Sequence, residues 1–392
     1  MFTGWRRDSS PAFAGRTKLT IIPSFTEHTA KVMTTELAPD RRRLSLPEGT
    51  AADGPTCLES RKIALARPRN EAIDVVRLIA AIGIVYVHAV RSPALDSSRN
   101  LFRFPVPFYL FASFYYQSLS LRRKTERTLR QYIAGCIKRL YLPFLGWSVI
   151  YFIARNIRRK FVLHVALARL EPGLLWKGVE YHLWFLPFLL AGSILLALIH
   201  WTILRHTRRW RWPLIGLAIA CGFVFAYSQM PASWDQTFDS PTYAYVQVWR
   251  AMPALCWALA FSWIMTMGPV VYPVSLAAGF AGIALTVFCS VKQALHGIQL
   301  VPRALSGFGC MVAALAPWNR RWMPVLARFG RYSYGIYLSH VLIAEIFRNI
   351  AIRAQLPDTA ALDIVMFLST LAGSFMLVLA LASSRRTAWL NG

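Results

Sequence analysis

Beyond residue 70 the chain alternates between long apolar runs and short polar or basic breaks. Runs near 72–91, 104–121, 140–156, 183–204, 212–229, 246–266, 270–290, 298–317, 332–352 and 361–383 each approach the ~20 residues that a helix needs to cross a bilayer. Barrel strands are shorter and alternate polar with apolar positions. The pattern therefore predicts an all-α fold, a polytopic membrane helix bundle with about ten transmembrane helices over residues 70–392. Pro and Gly inside the runs are compatible with such a bundle, because neighbouring helices satisfy the backbone groups they free. No repeat period divides the runs into two halves, unlike many transporters. Residues 1–69 differ in kind: they are rich in Arg, Ser, Thr and Pro, and "PDRRRLSLPEGTAADGP" predicts a disordered basic tail. Its charged start is not followed by an apolar core, so no signal peptide is expected, and Met33 is a second candidate initiator.

Composition agrees with the pattern. Hydrophobic residues make up 56% of the 392 positions and charged residues only 16%, against the ~25% charge of a soluble domain. The formal charge of +26 would suggest nucleic acid in a soluble protein. Here the basic residues gather in the tail and in "LRRKTERTLRQYIAGCIKR" (121–139), "RHTRRWR" (205–211), "NRRW" (319–322) and "RR" (385–386), all on one side of the bundle by the span count. The opposite break "MPASWDQTFDSPTYAY" (230–245) has Asp235 and Asp239 and no Lys or Arg. Topology explains this distribution and puts both termini in the cytoplasm, with no nucleic-acid partner. Segment 155–178 is basic yet falls on the outer side; it is expected to be an amphipathic helix lying on the membrane surface. The six cysteines show no Cys-x-x-Cys pair and no zinc spacing, so they are taken as packing residues and no metal site is expected.

The first run, "NEAIDVVRLIAAIGIVYVHAV" (70–90), holds three groups that lipid would reject: Asp74, Arg77 and His88. Arg77 and His88 are 11 positions apart, three helical turns, so they share a face ~16 Å apart along the axis. Asp74 lies on the same side. Two readings stand open. Asp74 and Arg77 pair at the interface with Arg77 snorkelling and His88 is a satisfied structural histidine; or the three line a working cavity. In the ninth run Ser333, Tyr337 and His340 share a face at offsets of four and three, for interhelical hydrogen bonding or for a site. Tyr181, His182 and Trp184 begin the fourth run, as an aromatic belt or as an acceptor-binding group.

These residues fall into a known pattern. "IDVVRLIAAIGIVYVHAV" resembles the first span of the membrane-bound acyltransferase-3 family, which carries an Arg, ten intervening residues and a His, matched by Arg77 and His88. "RFGRYSYGIYLSHVLI" (328–343) is similar to the family's penultimate-helix signature through Gly330, Ser333, Tyr334, Tyr337, Leu338 and His340. "YHLWFLPFLL" (181–190) resembles the Trp-Phe-Leu start of a middle helix, and "KRLYLPFLGW" (138–147) the basic pair and proline of the third span. Two departures accompany these matches. Ser113-Phe114 stands where the family usually has Ser-Gly-Phe-Phe, and Lys138-Arg139 alone represents an Arg-x-Arg motif.

The resemblance implies an inner-membrane O-acyltransferase that moves an acyl group, most often acetyl, from cytoplasmic acyl-CoA to a hydroxyl of a glycan, such as an exopolysaccharide or its lipid-linked repeat unit. Acyl-CoA is then a co-substrate, and no bound cofactor is expected. The implied catalytic group is His88 with Arg77, Asp74 and His340, His88 being the imidazole that takes a proton near neutral pH. His182, Trp184, Ser333, Tyr337, Lys138 and Arg139 are the implied substrate-binding set. A transporter using Asp74, Arg77 and His88 as a proton or substrate path is the alternative.

Overall fold

The computed structural model describes residues 70–391, apart from short stretches at 124–125, 162–163, 170, 236–239, 241, 268–273, 298 and 319–320. The tail expected over 1–69, Met33 and Asp239 lie outside the described residues. The described chain is helical throughout: α1 Glu71–Ala89, α2 Pro105–Arg123, α3 Leu129–Phe161, α4 Phe185–Leu204, α5 Arg211–Tyr227, α6 Tyr243–Met265, α7 Leu276–His296, α8 Leu300–Leu315, α9 Met323–Gly330, α10 Ser333–Arg353 and α11 Ala360–Ser383. The expected all-α class holds. Seven of these helices (α1, α3, α4, α6, α7, α10 and α11) are long and apolar enough to cross a membrane. The count of ten is not reached on that measure: α5 and α8 are apolar but shorter, and α2 falls outside the seven.

Local signals set the helix starts. Asn70 caps α1 by accepting from Ala72 N at 3.1 Å and Ile73 N at 3.4 Å. Thr128 and Gln131 close a capping box at the start of α3, so the helix begins inside the basic break expected over 121–139. One wide π turn, Ile137–Tyr141, joins that start to the remainder of α3 and makes a single 33-residue helix. Such turns add a residue to the ladder and re-aim the side chains around it. The surface helix expected over 155–178 does not form as one element. α3 ends at Phe161, the described residues between 164 and 169 have no regular structure, and Leu174–Lys177 is a single turn. Pro172 and Gly173 break the pattern there.

α1 is more enclosed than any of the seven except α6, and it is held on several sides. Ala72 and Val75 pack on Met323 and Ala327 of α9. Ala81 and Val85 pack on Ile336 of α10 and Val378 of α11. At its far end Asp363 of α11 accepts from the backbone N–H groups of Arg91 at 3.0 Å and Ser92 at 2.6 Å. Arg99 and Arg348 donate to the terminal carbonyls of Val87 and His88, at 3.3 and 3.5 Å, meeting acceptors that a helix end leaves open. The helices with the least burial turn apolar side chains outward: Phe280, Val287 and Phe288 of α7, Val365, Leu368 and Met376 of α11. α7 reaches α8 through glycines. A Cβ on Gly282 would meet the Gly309 carbonyl oxygen at 2.6 Å, the small-residue contact that lets membrane helices approach closely. The five cysteines among the described residues are free thiols, and Cys136, Cys256 and Cys289 are buried.

Candidate active site

Two cavities enter the bundle. The larger, about 400 Å³, is bordered by Arg77, Arg127, Arg139 and Arg331, with Ser333 and Tyr337 among its other lining residues. The smaller, about 80 Å³, is bordered by His88, His182, Trp184, Tyr181, Arg103 and Arg303. Phe185 and Tyr337 line both, so they form the partition between the two. Among the described residues no Asp or Glu lines either cavity.

Three histidines stand together beside the partition. The ring of His340 on α10 lies 5.2 Å from that of His88 on α1 and 5.1 Å from that of His182, centroid to centroid. His340 is fully buried, and its Nδ1–H donates to the Tyr337 carbonyl at 2.7 Å. That bond fixes the tautomer and leaves the Nε2 lone pair, which has no partner. His88 Nδ1 meets the Tyr181 hydroxyl at 3.1 Å. The Tyr337 hydroxyl donates to the His182 carbonyl, tying α10 to the turn ahead of α4. Behind them, Tyr151 of α3 donates to the Leu338 carbonyl at 2.8 Å and accepts from Leu342 N at 3.1 Å, which clamps the turn of α10 that carries His340.

The residues singled out in the sequence divide between the two cavities. Arg77, Arg139 and Ser333 line the larger; His88, His182 and Trp184 line the smaller; Tyr337 belongs to both. Lys138 borders neither. The π turn places Arg139 on the cavity and Lys138 off it. Asp74 also borders neither. Its side chain is buried, 3.5 Å from the Arg77 guanidinium, where α1 meets α9. A Cβ on Gly330 would strike the Asp74 carbonyl oxygen, so glycine is the residue that permits this contact. The shared face of Asp74, Arg77 and His88 is therefore split, with the acid packed away and the other two on different cavities. Trp184, for which an aromatic belt and acceptor binding both stand open in the sequence, is 6% exposed and faces the bundle interior. Serving the smaller cavity rather than the lipid, it sits among Phe185 and Phe188.

Several contacts of this arrangement escape sequence reasoning. Tyr181 and Tyr151 act across 93 and more positions of chain, which no local pattern reveals. Arg127 and Arg331 flank motifs already noted. Arg303, inside the apolar run of α8, carries a signal of its own: a cation within a span is costly and functional by default. Outside the spans, burial first and then Arg99 lower the Arg103 guanidinium below its ordinary value; Tyr243 opposes this and Arg250 adds to it. Glu180 sits in the turn beside Tyr181, 3.2 Å from Arg155. Burial pushes its carboxyl up to about 7 against the opposing pull of Arg155.

The Acyl_transf_3 family model, an acyltransferase domain, matches residues 70–380. A serine/alanine racemase of Enterococcus gallinarum is 29% identical over 140 residues, which cover 34% of this chain and 20% of the racemase. An amino-acid racemase of Enterococcus faecalis is 25% identical over 137 residues, covering 33% of this chain and 20% of that protein. The matched stretch thus spans about a fifth of either relative's length. No solved structure matches. With the family model covering most of the chain and all of the residues placed around the two cavities, the chain belongs to the acyltransferase-3 family of membrane proteins.

Proposed function

We propose that the chain is an integral-membrane O-acyltransferase that takes an acyl group, acetyl first among the candidates, from acyl-CoA and passes it to a hydroxyl of a glycan such as an exopolysaccharide or its lipid-linked repeat unit. The observation that carries this reading is the pair of cavities separated by Phe185 and Tyr337, one rich in arginine and the other holding the histidines. The arginine-lined cavity suits the phosphates of CoA, since guanidinium forks match phosphate oxygens. Arg139 and Arg127 line it as exposed side chains, and Arg77 as a half-buried one. That cavity adjoins the basic segment 121–139, which the positive-inside rule assigns to the cytoplasm of an inner-membrane protein, the side that holds acyl-CoA.

At the partition the chemistry needs one proton moved twice. In the tautomer whose Nδ1–H donates to the Tyr181 oxygen, His88 presents the Nε2 lone pair to the acceptor hydroxyl. The hydroxyl oxygen attacks the thioester carbonyl as its proton passes to Nε2. Collapse of the tetrahedral intermediate breaks the carbon–sulfur bond, and the proton goes on to the leaving thiolate. His340, its ring centroid 5.2 Å from that of His88, offers its Nε2 lone pair to the imidazolium formed there. The racemase activity in the names of the two relatives belongs to proteins of which this chain covers one fifth, and it is not carried over. A proton or substrate path through α1 is the competing reading. Permeabilised membranes given radiolabelled acetyl-CoA distinguish them: protein-dependent label in glycan supports the transferase, and flux in proteoliposomes without any acyl donor supports the path.

A further inference from the structure

The smaller cavity holds more positive charge than a histidine site needs. Arg303 enters it from the apolar helix α8 and is 5% exposed. Its guanidinium has no hydrogen-bond partner among the described residues, and its Nε is fully enclosed. Arg103 lines the same cavity, steadied by its Nε–H donating to Asn100 Oδ1 at 3.3 Å. Among the described residues no carboxylate pairs with Arg103 or Arg303; the nearest acid in sequence, Asp96, pairs with Arg99 at 2.8 Å. A buried cation without a counter-ion costs several kcal/mol. A buried arginine beside a second one makes a place where an anionic group is favoured. The phosphates of acyl-CoA have their own arginines on the other side of Phe185 and Tyr337, so the anion sought here belongs to the other substrate.

We infer that Arg103 and Arg303 form an anion subsite that holds a carboxylate or phosphate of the acceptor, next to the hydroxyl presented to His88. The inference rests on the acyltransferase reading above and specifies the acceptor's class: an acidic sugar or a sugar phosphate rather than a neutral glycan. The cavity volume of about 80 Å³ suits a charged group and the edge of one sugar ring, since a water claims ~30 Å³. Paired guanidinium forks bind such oxygens directionally as well as by charge. Tyr243 and Gln247, also on the cavity wall, supply neutral polar groups for the neighbouring ring hydroxyls.

The test uses permeabilised membranes of the native host, lacking its own copy and expressing full-length wild type, Arg303→Gln, Arg303→Lys or Arg103→Gln. Label from radioactive acetyl-CoA is followed into the endogenous glycan, with glucose, glucuronate or glucose 1-phosphate added as competitors. Each variant is checked for a monodisperse peak in detergent. The expected result is that wild type is inhibited at least 10-fold more strongly by one of the anionic sugars than by glucose. Arg303→Gln and Arg103→Gln lose that discrimination, and Arg303→Lys keeps part of it. Inhibition by glucuronate alone identifies a sugar carboxylate, and by glucose 1-phosphate alone a phosphate. Equal inhibition by all three sugars, inhibition by none, or discrimination unchanged in folded Arg303→Gln overturns the subsite while leaving the transferase in place. Absence of any protein-dependent label overturns the transferase itself.

Discussion

The Tyr181 hydroxyl lies 3.1 Å from Nδ1 of His88, joining the turn ahead of α4 to the far end of α1. This bond selects which nitrogen of His88 faces the smaller cavity, so Tyr181 is a positioning residue for the proposed base. Tyr181→Phe removes the oxygen and keeps the ring. A hydrogen bond of this kind contributes about 1–1.5 kcal/mol, or roughly tenfold in rate. The expected outcome is a fall of that size in kcat for acyl transfer, with KM for acyl-CoA within twofold. Steady-state assays on purified protein check both constants.

Arg139 and Lys138 are adjacent in sequence and opposite in placement, since Arg139 lines the larger cavity and Lys138 does not. Arg139→Gln is expected to raise KM for acyl-CoA by about tenfold, the loss of one charge-assisted contact to phosphate. Lys138→Gln is expected to change it by less than twofold. An equal effect of both variants would show that the pair acts only through general surface charge.

Gly330 carries a packing prediction. Its Cα sits against the Asp74 carbonyl, where backbone rather than a pliable side chain would receive an added methyl. Gly330→Ala therefore forces α9 away from α1 and is expected to destabilise the protein by about 1–3 kcal/mol. A lowered thermal midpoint in detergent, with less monodisperse protein recovered, is the measurement.

Glu180 gives a pH dependence. Burial raises its carboxyl to about 7 in the folded protein, above the value it has when unfolded. A raised acid favours folding while protonated, so this contribution is lost as pH climbs from the unfolded value, near 4.5, through about 7. Glu180→Gln, which holds the neutral form at every pH, is expected to flatten the fall in thermal midpoint between pH 5 and 8. A wild-type profile that rises across that window would contradict the assignment.

Much of this was legible in the sequence because it is periodic. The runs near 20 residues set the helices, the 11-position spacing of Arg77 and His88 put both on inward positions, and the offsets within Ser333, Tyr337 and His340 put these three on one face. Spacing gives Asp74 a helical face but not the neighbour across it; α9 arrives there through Gly330, and the acid lies beside Arg77 as one of the two open readings has it. For Trp184 the sequence leaves belt and acceptor binding open, because it does not separate a tryptophan facing lipid from one facing a cavity. The continuity of α3 was hidden by basic residues that mark a break in hydropathy and yet sit in a capped helix with a π turn. Tyr181, Tyr151, Arg103 and Arg303 meet the site only through tertiary contacts, although a lone arginine in the run of α8 was open to notice.

The central claim is that His88 takes the acceptor's proton. Mass spectrometry of surface glycans from a deletion strain, complemented with wild type or His88→Ala, tests it most directly, with membrane insertion of the variant confirmed in parallel. The account predicts that deletion removes one acyl mass, acetyl being the first candidate, and that only wild type restores it. Restoration by inserted His88→Ala to the wild-type level would contradict the role of His88 in the reaction.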